Sequence, residues 1–223
     1  MSYIVAIDGP AGSGKGTVTK MVGKKLNLIN IDTGAMYRCV SLYFLKNNID
    51  LNNEEKIELA LKKIKIEFKK IEDKENVFLN DEDVTNSIRS KEVNDIVSQV
   101  SHIKIVRENM VKLQREMAIN KEVIMEGRDI GTNVFPNANV KIYLDASAEE
   151  RANRRLKQNK ENGIFIPYEE ILENIKFRDN NDKTSNIAPL KQAEDAFYID
   201  STNLSINQVV DKIIKIINEK SEK

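Results

Sequence analysis

The stretch Gly9-Pro10-Ala11-Gly12-Ser13-Gly14-Lys15-Gly16-Thr17 constrains this chain more than any other, because it follows the apolar run Tyr3-Ile4-Val5-Ala6-Ile7 and opens into helix-compatible residues 18–26. A strand, a glycine-rich turn and a helix start are predicted there. Glycines let the backbone enter conformations closed to other residues, so successive N–H groups converge on one concavity at the positive end of a helix dipole. Such a concavity binds phosphate, and Lys15 adds a cation that reaches the outer phosphates. From Gly9 through Gly14 to Lys15 the spacing fits the first seven positions of the P-loop pattern. At the eighth position Gly16 stands where Ser or Thr is expected, and Thr17 supplies the hydroxyl one residue late.

Composition limits what else the chain can be. With 223 residues it can bury a full core, as one domain or as one domain carrying an insertion. Lys plus Arg and Asp plus Glu both count 35, so no long-range field favours nucleic acid or an anionic membrane. No aromatic-basic surface pattern argues for nucleic acid either. The apolar runs are too short to cross a bilayer and the start lacks the charged segment of a signal peptide, so a soluble cytoplasmic protein is expected. Cys39 is the only cysteine, which excludes an internal disulfide and a thiolate metal cage; it is expected to fill space in a helix. His102 is the only histidine and reads as a surface residue.

Along the chain, residues 28–31 read as a second strand, ending at Asp32-Thr33-Gly34-Ala35-Met36-Tyr37-Arg38. Asp32 or Thr33 can cap the next helix and set Tyr37 and Arg38 beside the strand end, where parallel sheets bind ligands. A capped helix with a solvated arginine would look the same. Residues 51–70 pass from a Lys/Glu-rich helix into an alternating run at 64–68. A polar turn at 72–75, Asn76-Val77-Phe78-Leu79 and Glu82-Asp83-Val84 complete a small antiparallel sheet, which reads as an insertion. Residues 88–120 read as two helices with Ser98, Arg107 and Arg115 among their polar residues.

Val123-Ile124-Met125 is a third parallel strand, leaving through Glu126-Gly127-Arg128-Asp129-Ile130-Gly131-Thr132, a turn whose charges are costly to bury without partners. Val140 to Leu144 is the fourth, and Ser147 with Glu150 forms a capping box for a helix. On that helix Arg151, Arg154 and Arg155 share a face and ask for an anion, although surface helices also carry arginines for solubility. Residues 159–163 break that helix, Tyr168 to Arg178 resumes it, Arg178 to Leu190 reads as a polar loop, and residues 196–199 form a fifth strand. Ser205 and Gln208 start a last helix with an apolar stripe of Ile206, Val209, Ile213 and Ile216. Five strands alternating with helices give a doubly wound α/β fold.

The motifs GPAGSGKGT, DTGAMYR, EDVTNSIRS, EGRDIGTNVFPNA, YLDASAEERANRR and APL, in this order, resemble the bacterial cytidylate kinase family of P-loop nucleoside monophosphate kinases. The resemblance spans Ile4 to Leu190. It implies a monomeric ATP:CMP phosphotransferase that also accepts dCMP and uses Mg2+, whose ligands it leaves open. The implied fold is a P-loop kinase with a five-stranded parallel sheet of order 2-3-1-4-5. It is one domain, with a core at 1–50 and 100–223, a nucleotide-binding insertion at about 51–99 and a short helical lid at about 151–165. By motif, Gly9, Pro10, Ala11, Gly12, Ser13, Gly14, Lys15, Gly16 and Thr17 would cradle ATP, with Arg151 beside them. Lys15, Arg128, Arg154 and Arg155 would act on the transferring group. Thr33, Tyr37 and Arg38 would line the CMP site; Ser98, Arg107 and Asp129 would read the cytosine. Arg128 and Arg178 would hold the acceptor phosphate with Arg38, and Asp182 would contact the ribose.

One departure stands out. The family usually carries an arginine where this chain has Ser185, and loss of one charge-assisted phosphate contact costs about 1.5 to 3 kcal/mol unless Lys183 swings in. A kinase for UMP, AMP or shikimate shares the P-loop, and a non-catalytic ATP-binding regulator would bind ATP without transferring phosphate. No N/T-K-x-D signature marks a GTPase.

Overall fold

The computed structural model describes residues 2–221 apart from 73, 162 and 186, with the side chain of residue 74 also set aside. Those parts of the expected 72–75 turn, the 159–163 helix break and the 178–190 loop that fall on residues 73, 162 and 186 lie outside the described residues. In chain order the elements are β1 (Tyr3–Asp8), α1 (Lys15–Leu26), β2 (Ile29–Asp32), α2 (Thr33–Lys46), α3 (Glu54–Leu61), β3 (Ile66–Ile71), β4 (Lys74–Leu79) and β5 (Glu82–Asp83). There follow α4 (Lys91–Ser101), α5 (Lys104–Met117), β6 (Glu122–Gly127), β7 (Val140–Asp145), α6 (Ala148–Glu161), α7 (Tyr168–Thr184), β8 (Phe197–Asp200) and α8 (Ile206–Ser221). The chain packs as two units, Met1–Asn30 with Ala118–Lys223, and Ile31–Met117.

The large sheet runs in the order β2-β6-β1-β7-β8 and is parallel. Counting its own strands along the chain, this is 2-3-1-4-5, the order that the resemblance implies. Parallel strands are covered on both faces and therefore read as continuous apolar runs. Val5, Ala6 and Ile7 of β1 and Val123, Ile124 and Met125 of β6 are accordingly all fully buried. Val18 and Val22 of α1 join Val209, Val210, Ile213 and Ile217 of α8 over this core. Ile206, expected in the α8 stripe, is instead exposed and Ile216 only partly buried, because the stripe turns onto Val210 and Ile217. The α8 capping box closes in both directions: Ser205 N donates to Gln208 Oε1 at 2.9 Å and Gln208 N to Ser205 Oγ at 3.3 Å.

Two local expectations are corrected in this unit. The Ser147 box is half made: Glu150 N donates to Ser147 Oγ, but Glu150 Oε1 takes Arg154 Nε at 2.8 Å and Ser147 N donates to Thr202 Oγ1. A charged partner one turn on outcompetes the backbone amide. The segment Arg178 to Thr184, read as loop, is the last part of α7. Its Asp and Asn residues favour turns over helix interiors, but Asp179 pairs with Arg151 and Asp182 with Arg128, and these tertiary ion pairs hold the helix on.

In the second unit, α4 is capped by Ser90 Oγ, which accepts from Val93 N, and buries Val93, Val97 and Val100 at helical spacing. The helices that α4 contacts bury Met36, Val40 and Phe44 on α2 and Val106 and Met110 on α5. Cys39 on α2 is fully buried, and burial first and Asp32 second push its thiol up to about 12. The strands β3, β4 and β5 form the small antiparallel meander. His102 is the C-cap of α4, half-buried rather than on the surface, with Nδ1 donating to Ser98 O at 2.6 Å.

Candidate active site

The phosphate loop connects the buried end of β1 to α1 and is shaped by what lies against it. Gly9 has φ +152°, and a Cβ there would stand 2.0 Å from Leu144 O on β7, so no side chain fits. Gly14 caps α1 in the left-handed region at φ 92°, where glycine costs least. At the eighth position the space is tight: a Cβ at Gly16 would stand 3.0 Å from Glu126 Oε1.

Lys15 is 5% exposed, and its ammonium donates to Gly9 O and Pro10 O, each at 2.7 Å, and to Ser13 Oγ at 3.4 Å. Burial pulls its pKa down, and the nearby Arg128 adds to this against the opposing pull of Glu126 and Asp8. The loop thus holds a cation that would gain from an incoming anion.

Beyond β6 the chain makes a π-helical turn, Ile130–Val134, in which Asp129 O accepts from Asn133 N and Val134 N. Asp129 is buried, and its Oδ2 accepts from Asn133 Nδ2 at 2.8 Å. The turn is pinned to β1 by Asp8, which the sequence analysis does not single out. Asp8 Oδ1 accepts from Ile130 N at 2.8 Å and Oδ2 from Gly131 N at 2.7 Å. Burial lifts the Asp8 carboxyl to about 6, although both N–H bonds pull the other way.

The sign of the resulting pH dependence follows from proton counts. Between its ordinary value of 3.8 and about 6 the folded chain holds a proton that the unfolded chain has released, so stability falls as pH rises through that window. The expected drop is about 3 kcal/mol, flat above the window, and Asp8→Asn should abolish it. Urea unfolding of both proteins from pH 4 to 7 checks this, read as the difference between them.

Arg128 leads into the turn and donates through Nε to Asp182 Oδ2 at 2.8 Å. Arg178 lies one turn before Asp182 on α7 and is half-buried. Burial first, then Arg128 and Arg155, hold its pKa below the ordinary guanidinium value, with Asp182 and Asp179 only partly offsetting them. Like charges crowded in this way attract a multivalent anion. Lys183, the expected stand-in for the missing arginine, is exposed, and half-buried Ser185 is the C-cap of α7.

The three arginines of α6 part company. Arg151 is 4% exposed and meets Asp179 in a two-pronged pair, Nη1 to Oδ1 at 2.9 Å and Nη2 to Oδ2 at 2.6 Å. Arg154 is half-buried between Glu150, Ser13 and Ser201. Arg155 is exposed and bonds Gln158, and its charge acts on Arg178. Asp179 and Ser201 were missed by the sequence analysis, and Glu150, read there as a cap, pairs with Arg154 instead; Asp179 stands three residues before Asp182, a helical spacing that becomes visible once α7 is extended.

In the second unit, Asp32 Oδ1 accepts from Ala35 N at 2.9 Å and starts α2, whose first residue Thr33 is buried. Arg38 Nη1 donates to Asn94 Oδ1 at 2.5 Å and to Ile88 O at 3.4 Å. The Arg107 guanidinium lies 5.9 Å from the centre of the Tyr37 ring, within cation–π range, and donates to Ser101 O. Ser98, on α4, lends its carbonyl to Ser101 Oγ and His102. Asn94 is a further residue the sequence analysis missed; nothing in its neighbourhood of polar helix residues marks it.

The first unit can grip the end of a polyphosphate on backbone amides and surround it with guanidinium groups, and it presents no Ser–His pair for covalent chemistry. That defines a P-loop kinase of the doubly wound α/β class. The sequence profile of cytidylate kinases matches residues 5–219. The chain is 51% identical over 218 residues to the cytidylate kinase of Fusobacterium nucleatum, covering 98% of each. It is 48% identical over 217 residues to that of Bacillus subtilis, covering 97% of each. This chain belongs to the cytidylate kinase family. Among solved structures, an uncharacterized protein of Eubacterium ventriosum shares the fold alone, with a TM-score of 0.55 at 11% identity over 97% of this chain and 98% of that one.

Proposed function

We propose that the chain transfers the γ-phosphoryl group of ATP to CMP and dCMP, giving CDP and dCDP with release of ADP. An oxygen of the acceptor phosphate attacks the γ-phosphorus in line, and the bond to the β-phosphate oxygen breaks. The transition state is loose and its charge sits on the peripheral oxygens, so alignment and electrostatic stabilisation supply most of the catalysis. The acceptor phosphate is already a nucleophile, which suits a chain with one histidine.

The residues assigned to ATP are Gly9 to Thr17, with Lys15 and Arg155 on the transferring group. In the first unit Arg128 and Arg178 take the acceptor phosphate, Asp129 the cytosine and Asp182 the ribose. In the second unit Thr33, Tyr37, Arg38, Ser98 and Arg107 serve CMP. The single observation that carries this reading is the crowding of half-buried Arg178 with Arg128, like charges that one anion would satisfy together.

Mg2+ keeps several waters and needs one or two carboxylates plus substrate phosphates. No group of three His, Cys, Asp or Glu residues able to hold a metal occurs among the described residues, and both Asp8 oxygens are engaged by backbone N–H groups. The Glu126 carboxylate, which stands 3.0 Å from where a Cβ on Gly16 would lie, and the Thr17 hydroxyl are the groups that would hold a nucleotide-borne Mg2+. When bound it neutralises charge on the phosphates. The nucleotides it uses are made inside the cell, so the reading carries with it a cytoplasmic enzyme, working as a monomer. No helix among the described residues is long and apolar enough to cross a membrane.

ADP release measured with CMP, dCMP, UMP, AMP and shikimate tests the assignment. Rapid turnover is expected with CMP and dCMP; a preference for another acceptor, or none at all, would overturn it.

A further inference from the structure

A loop whose N–H groups converge on a phosphate must turn carbonyls outward, and an outward carbonyl removed from water needs a donor of its own. In this chain two such carbonyls, Ala11 O and Ser13 O, are met by guanidinium groups from α6. Arg151 Nη1 reaches Ala11 O at 3.2 Å and Arg154 Nη1 reaches Ser13 O at 3.3 Å.

We infer that Arg151 and Arg154 are positioning residues that fix the outward carbonyls of the phosphate loop, with Asp179 orienting Arg151, and that neither guanidinium is a ligand of the triphosphate. The inference rests on the loop being the ATP site, and it corrects the assignment of Arg151 to ATP and of Arg154 to the transferring group.

Donor counts carry it. A guanidinium has five N–H groups. Arg151 commits four: Nε to Ala146 O at 2.9 Å, Nη1 to Ala11 O and Asp179 Oδ1, and Nη2 to Asp179 Oδ2. Arg154 also commits four, through Nε to Glu150, Nη1 to Ser13 O and Ser201 Oγ, and Nη2 to Ser201 O at 2.7 Å. Neither can grip a phosphate with two prongs without abandoning a partner. For Arg151 that partner is Asp179, whose carboxylate is itself largely buried at 15% exposed. The Arg151 stem also lies along the loop, since a Cβ at Gly12 would meet its Cβ, Cγ and Cδ at 3.4 to 3.8 Å. A side chain with its stem against the loop and its head divided among three elements acts as a strut.

The test uses calorimetric titration of the full chain with ATP, and separately with CMP, on Asp179→Asn, Arg151→Lys, Arg151→Met and Arg154→Lys. All four are expected to weaken ATP roughly tenfold through lost preorganisation while CMP affinity stays within about twofold. Lysine cannot span the three partners of Arg151, but as a point charge it would keep a phosphate contact. Wild-type ATP affinity in Arg151→Lys would therefore overturn the inference. So would tighter or unchanged ATP binding in Asp179→Asn, the result expected if the carboxylate merely restrains a phosphate ligand. An equal loss of ATP and CMP affinity would also overturn it, as the mark of general damage. Asp179→Asn changes one oxygen to an amide nitrogen and keeps an acceptor, so it carries the test even if Arg151→Met fails to fold. The titration with ATP reads the loop whether or not CMP proves to be the acceptor.

Discussion

Replacing Lys15 by methionine is expected to lower turnover about a thousandfold while CMP still binds with its ordinary affinity. The ammonium here is engaged wholly by oxygens of its own loop, Gly9 O, Pro10 O and Ser13 Oγ, and sits among Arg128, Glu126 and Asp8 with its pKa drawn down by burial. Its charge is costly at rest and is repaid when a triphosphate arrives. Methionine keeps the stem and removes the charge, so the loss should fall on the step in which charge moves on the phosphates. Steady-state kinetics at saturating CMP check this; retention of more than about a tenth of the turnover would remove Lys15 from the transferring group.

Arg128→Ala is expected to weaken CMP about a hundredfold or more by calorimetry, because it removes a charge-assisted phosphate contact and leaves the Asp182 carboxylate unpaired. Two effects add in that variant, and Arg128→Ala combined with Asp182→Asn separates them. If phosphate contact dominates, the second change recovers little. If the stranded carboxylate dominates, it recovers most. Undiminished affinity in Arg128→Ala would take the residue out of the acceptor site.

What the sequence reveals here and what it conceals differ for physical reasons. The loop between β1 and α1 is legible because glycine spacing, the preceding apolar run and the lysine all act locally. The inner strands of the large sheet are legible because buried parallel strands are apolar in long runs, as Val5 to Ile7 and Val123 to Met125 are. The end of α7 is not. Arg178-Asp179-Asn180-Asn181-Asp182 has the composition of a loop, and the pairs that make it helical reach Arg151 and Arg128, 28 and 54 residues away.

The α6 arginines show a subtler limit. That they seek anions is readable from their spacing, but a carboxylate and a phosphate look the same from a guanidinium, so the partner of Arg151 could only be found in three dimensions. Asp8 is hidden for the opposite reason. At the end of an apolar strand it resembles a boundary, and its role in pinning the Ile130–Gly131 backbone depends on a turn more than a hundred residues on.

The sealed thiol of Cys39 has a practical consequence. With its only thiol wholly covered and reluctant to ionise, the folded chain is blank to maleimides. Fluorophores can therefore be attached at cysteines introduced one at a time elsewhere, with no background labelling to subtract, and any slow labelling of the native sulfur becomes a clock for how often the Ile31–Met117 unit comes apart.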